Sequence, residues 1–72
     1  MRSSRITTAQ AGALMGKGAL FVREGMRRGE LDLGTAMQLP GSSKWNFHIS
    51  PRKLAEYLGI TQEELQRALQ EI

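Results

Sequence analysis

Arg23, Arg27 and Arg28 fall within six residues, with Lys17 shortly before them. On a helix Arg23 and Arg27 lie one turn apart, so their guanidinium groups project from one face. Such a pair suits phosphate oxygens and guanine edges, because an arginine fork donates two parallel N–H bonds to either. Leu20 shares that face, where a soluble domain gains little from it but a thymine methyl would give it a partner. Glu24 stands between the arginines and can pair with Arg27 or Arg28 at i+3 or i+4, as on any solvated charged face.

Other chemistry is poorly supplied. With one His and no Cys there is no disulfide, thiolate site or multi-histidine metal centre. His48 alternates with Phe47 and Ile49, which points it to solvent, and no Asp, Ser or Cys set surrounds it. The stretch from Gly12 to Gly18, with its Gly-Lys-Gly end, approaches a P-loop. It has three residues between the glycines instead of four, however, and Gly18 stands where Ser or Thr should follow the lysine. We therefore expect no catalytic residue, no cofactor, no metal and no small-molecule substrate.

The elements that must position the arginines can be read from caps and periods. Thr7 and Gln10 form a capping-box pattern, Ala11, Leu14 and Met15 follow at helical spacing, and Gly16 and Gly18 stop the helix. A second helix is expected over 19–28, ending at Gly29, with Phe21, Val22, Gly25 and Met26 on the packed side and Leu20, Arg23, Glu24 and Arg27 opposite. The period then changes to two. Leu31, Leu33, Thr35, Met37 and Leu39 alternate, as do Trp45, Phe47 and Ile49, around a turn from Pro40 to Lys44. This predicts a β-hairpin with all three residues of the second run facing inward, the two aromatics as core. Ser50-Pro51 opens a helix to Leu58, closed by Gly59, and Thr61 with Glu64 caps a last helix with a Leu65, Ala68, Leu69 and Ile72 stripe.

Gly12, Gly16 and Val22 occupy the small, turn and apolar positions of helix-turn-helix spacing, which an ordinary helical hairpin also satisfies. Gly12 and Gly25 would be sites of close approach, since glycine inside a helix otherwise costs about 1 kcal/mol. Ala55, Gly59 and Leu65 repeat the spacing. Charge separates the two units. The 72 residues carry a net +3, but residues 1–53 hold nine basic and three acidic residues, or +6, and residues 54–72 hold one and four, or −3. The second unit's last helix, with Glu63, Glu64 and Glu71 against Arg67, would repel phosphates. It is expected to support the hairpin or to contact protein.

The segments Ile6-Thr7-Thr8-Ala9-Gln10-Ala11-Gly12-Ala13-Leu14-Met15-Gly16 and Phe21-Val22-Arg23-Glu24-Gly25-Met26-Arg27-Arg28-Gly29-Glu30-Leu31, with Trp45 and Ile49-Ser50-Pro51, resemble a known family. They are similar to the excisionase-type winged-helix domains of phages and integrative elements, relatives of the MerR DNA-binding domain. The similarity spans residues 6–58. It implies a mainly helical α+β winged helix-turn-helix, which together with the caps and periods above divides the chain into a basic flexible arm over 1–5, a helix-turn-helix over 7–29, a hairpin wing over 31–49 and two C-terminal helices over 51–72. It also implies that the second helix enters the major groove and that the hairpin is a wing lying on the backbone or in the minor groove. Leu20, Arg23, Glu24 and Arg27 would then face bases. Arg2, Arg5, Lys17, Arg28, Ser42, Ser43, Lys44, Arg52 and Lys53 would face the backbone.

The expected function is non-catalytic, sequence-specific binding of double-stranded DNA, and the resemblance implies the role of an excisionase-like recombination directionality factor. Its partners would be an integrase or further copies along the DNA. A small phage transcription regulator would need the same features. A protein-interaction adaptor would instead use Glu63, Glu64, Arg67 and Glu71 on the acidic helix. The lack of an apolar run or signal core leads us to expect a cytoplasmic protein without membrane contact.

Overall fold

A computed structural model describes residues 5–72; Arg2 and most of the expected arm lie outside them. The chain forms four helices and a two-stranded antiparallel hairpin, in the order α1 (Thr8–Met15), α2 (Ala19–Arg27), β1 (Gly34–Gln38), β2 (Trp45–Ile49), α3 (Pro51–Leu58) and α4 (Gln62–Gln70). This is a small, mainly helical α+β fold. Among the described residues no helix is long and apolar enough to cross a membrane.

Local chemistry sets the helix boundaries. Thr7 and Thr61 each accept from the amide three residues on, while Gln10 and Glu64 reach back to the capping amides, so both expected capping boxes form. The residue before each cap is Ile6 or Ile60, and the fourth helical residue is Ala11 or Leu65. Ile6, Ala11 and Leu65 are buried and Ile60 packs on them, the arrangement of a hydrophobic staple at both helix starts. Ile6 is a core residue that periodicity alone misses, because it precedes its helix. At the C-termini of α1 and α3, Gly16 and Gly59 take φ 75° and 74°. Lys17 N–H then donates to the Gly12 carbonyl and Ile60 N–H to the Ala55 carbonyl, so α1 leads to α2 and α3 to α4 through the same left-handed turn.

The core is Ile6, Ala11, Val22, Met26, Leu33, Ile49, Leu54, Ala55 and Leu65, drawn from every element except β1, with Ala36 of that strand packed against it. α1 packs mainly on α2, α2 also meets β1, and α1 meets β2 and α4. At Gly12 the crossing is tightest. An added Cβ would stand 2.7 Å from the Lys17 carbonyl oxygen and 2.9 Å from that of Gly18. Gly25 is packed by the Leu31 side chain rather than by a helix.

Three expectations about packing are corrected. Phe21, assigned to the packed side of α2, is exposed, and Ile72, assigned to the last apolar stripe, lies beyond the end of α4 and is also exposed. The third correction concerns the phase of the first strand. Leu33 is buried, but Met37 and Leu39 are 52% and 50% exposed. The alternation resets at Gly34, which has φ 152° and pairs with Ile49, so Ala36 faces the Phe47 side and Thr35 and Met37 face the other way. A Cβ at Gly34 would strike the His48 carbonyl oxygen. His48 is exposed, as its alternation implies.

In an open helix an alanine for glycine stabilises by about 1 kcal/mol. Gly12→Ala is expected to reverse that sign and cost about 1–3 kcal/mol from overpacking against backbone. The melting midpoint by circular dichroism should fall by about 4–8 °C per kcal/mol in a domain of this size. An unchanged or raised midpoint would mean that the crossing relaxes freely.

Candidate nucleic-acid interface

α2 begins without a side-chain cap, because Gly18 stands at its N-cap, and it presents two unlike faces. Val22 and Met26 are buried against the core, which forces the residues opposite them outward. Leu20 is 63% exposed on that outer face. Lys17 holds its ammonium 5.2 Å from the centre of the exposed Phe21 ring, so this cation sits over an aromatic at the start of the helix.

Towards the C-terminal half of α2 the outer face meets the hairpin. Arg23, Glu24 and Arg27 from the helix and Lys44, Trp45 and Phe47 from the hairpin line an open cleft of about 310 Å³. Three cations thus converge from two elements onto one surface with a single carboxylate among them. Arg23 is partly buried, and its Nη1 donates to Thr8 Oγ1 at 3.4 Å, which links it to the first turn of α1. Arg27 Nη1 donates to Glu24 Oε2 at 2.9 Å, and Arg28 Nε lies 4.0 Å from Glu24 Oε1. Both expected partners of Glu24 are therefore engaged. The Arg27 guanidinium also lies over the Trp45 ring, 4.9 Å from its centre.

Trp45 corrects an expectation. Inward alternation assigned it to the core, yet it is only partly buried and is not among the residues that pack there, unlike Phe47 and Ile49 on the same strand. It sits opposite Gln38 at the turn end of the ladder, past the reach of the helical core, so its inward face meets the cleft.

The remaining backbone candidates are dispersed. In the hairpin loop Pro40 and Gly41 occupy a turn closed by Ser42 N–H donating to the Leu39 carbonyl, and Ser42 Oγ accepts from the Lys44 amide at 3.1 Å. That bond orients Lys44 at the start of β2. Ser43 is exposed in the same loop. Arg5 lies with Thr35, Met37, Asn46 and His48 beside the outer face of the hairpin and does not line the α2 cleft. Arg52 is exposed on α3, and Lys53 Nζ bonds both carboxylate oxygens of Asp32 at 3.1 Å, tying α3 to the loop before β1.

On α4 the acidic residues have local tasks. Glu64 completes the capping box, Glu63 lies 3.9 Å from Arg67, and Glu71 ends the helix. Comparison with protein-family models, curated proteins and solved structures found no match for this chain.

The Glu24–Arg27 pair is about two-fifths exposed on both sides, so water and salt screen it. Glu24→Gln is expected to change stability by no more than about 1 kcal/mol, read as the denaturation midpoint in low and in moderate salt. A larger loss would mean that the pair holds the helix rather than merely occupying its surface.

Proposed function

We propose that this protein binds double-stranded DNA in a sequence-specific manner and without catalysis, as a winged helix-turn-helix. α2 is the recognition helix, and the hairpin is the wing. The observation that carries the reading is the convergence of Arg23, Arg27 and Lys44 on one open cleft between helix and hairpin. Cations from two elements on one surface match a duplex, whose bases and flanking phosphates must be met together.

The roles follow from exposure and partners. Arg27 and Arg23, with Leu20 and Glu24, face base edges; an arginine fork meets guanine O6 and N7, and a carboxylate can accept from cytosine N4. Lys44, Lys17, Arg28, Ser42 and Ser43 flank them for phosphate contacts, with Arg5, Arg52 and Lys53 further out. The Glu24–Arg27 pair is weak enough to open when a base or phosphate offers a better partner. Through its resemblance to excisionase-type domains, the reading extends to a recombination directionality factor. Several copies would assemble along an attachment site and present it to an integrase.

Each of Arg23→Ala and Arg27→Ala is expected to weaken binding to a selected duplex by about 1–3 kcal/mol and to relax preference at one position. Lys44→Ala should weaken all sequences alike and lower the salt slope by about one. Fluorescence anisotropy with labelled duplexes over a salt series measures both. An affinity that stays flat from low to moderate salt would sink the proposal, because phosphate neutralisation must release counterions.

A further inference from the structure

We propose that Trp45 is a positioning residue for Arg27: its indole holds the guanidinium from one face so that the in-plane N–H groups address one defined base edge. The inference rests on the DNA-binding reading above and adds the residue that sets the aim of one of its arginines.

The geometry separates two kinds of contact. With Arg27 Cζ 4.9 Å above the indole centre, the guanidinium can rest on the ring through its π face, which leaves its in-plane N–H groups to guanine, and the two contacts are compatible. The Arg27–Trp45 contact can therefore persist when DNA is bound. The Glu24 contact, by contrast, takes an in-plane N–H of Nη1 that a base edge could otherwise receive. Arg27 is also the last residue of α2, where backbone order gives the least control over a long side chain. Without an external support it would sample many rotamers.

Trp45 is suited to provide that support. It is placed by the β1–β2 ladder through its pairing with Gln38, and thus by a part of the fold separate from α2. The indole is left partly exposed at the cleft and takes little part in the core, so packing does not account for its presence. The other groups lining the cleft are Arg23, Glu24, Lys44 and Phe47. Of these only Glu24 attracts Arg27, and its bond takes one of the in-plane N–H groups that would address a base. The indole alone holds Arg27 without occupying them.

The test is a double-mutant cycle on a duplex selected by the wild-type protein from a random pool. Trp45→Leu is expected to lower specific affinity about fivefold, the scale of a cation–π contact, with the preference lost at the base pair that Arg27→Ala also relaxes. Trp45→Phe should restore most of it, and the salt slope should stay at the wild-type value because phosphate contacts are untouched. In the Arg27→Ala background Trp45→Leu should have no further effect.

Equal losses in both backgrounds, or an unchanged base preference in Trp45→Leu, would overturn the assignment while leaving DNA binding in place. A wild-type protein that selects no sequence would instead remove the DNA-binding reading and this inference with it. Should Trp45→Leu fail to fold, the free protein still decides. Trp45 is the only tryptophan, so Arg27→Ala must alter its emission if the guanidinium lies on the ring, and an unaltered spectrum overturns the proposal.

Discussion

The backbone approach at Gly12 governs the rest of this molecule. Its Cα side faces the carbonyls of Lys17 and Gly18, the residues that lead into α2. Any side chain there would push the second helix off the first. With the approach in place, Val22 reaches complete burial and Met26 nearly so, and these two residues fix the rotation of α2 about its axis. Rotation decides everything on the outer face. Leu20, Glu24 and Arg27 are presented outward because Val22 and Met26 point in, and a change of a third of a turn would bury charge and expose the core.

The hairpin completes what α2 begins, and a second tight contact controls its orientation. Gly34 passes against the His48 carbonyl, so the alternation of β1 restarts there and Ala36 joins the side shared by Phe47 and Ile49. That phase anchors the hairpin to the core at Ile49 and leaves Trp45, at the other end of β2, and Lys44 just before it beside α2. The cleft thus depends on two glycine contacts, one where α1 meets the turn into α2 and one within the hairpin. Neither glycine contributes a functional group; each admits backbone where a Cβ would block it.

The helix-turn-helix spacing occurs twice, and each unit has a small residue in its first helix and a left-handed glycine between its helices, but the staple and capping box open the first helix of one unit and the second helix of the other. What distinguishes them is the free surface. In the second unit the carboxylates cap the helix, pair with Arg67 or end the chain's last helix. In the first, Arg23, Arg27 and Lys44 meet at a cleft, and one carboxylate there, Glu24, pairs with Arg27. An exposed ion pair of that kind contributes little to stability, which leaves the arginines available to a partner of opposite charge.

Much of the architecture was legible in the sequence, because the signals are local. Thr7 with Gln10, Thr61 with Glu64 and Ser50 with Pro51 mark helix starts through bonds to neighbouring amides, and Gly16, Gly29 and Gly59 mark the ends. The exposed charged face of α2 followed from period alone. Tertiary structure decided the matters that depend on distant residues. Met37 and Leu39 faced solvent because Gly34 reset the strand against His48, and Phe21 lost its place in the core because Val22 and Met26 sufficed to fill it. Ile6 gained a place because it staples a helix that it precedes. Trp45 left the core for the cleft because the helical core ends short of its position on the ladder. Caps and periods act within a turn of chain, whereas strand phase and the depth of a core depend on what the rest of the molecule brings alongside.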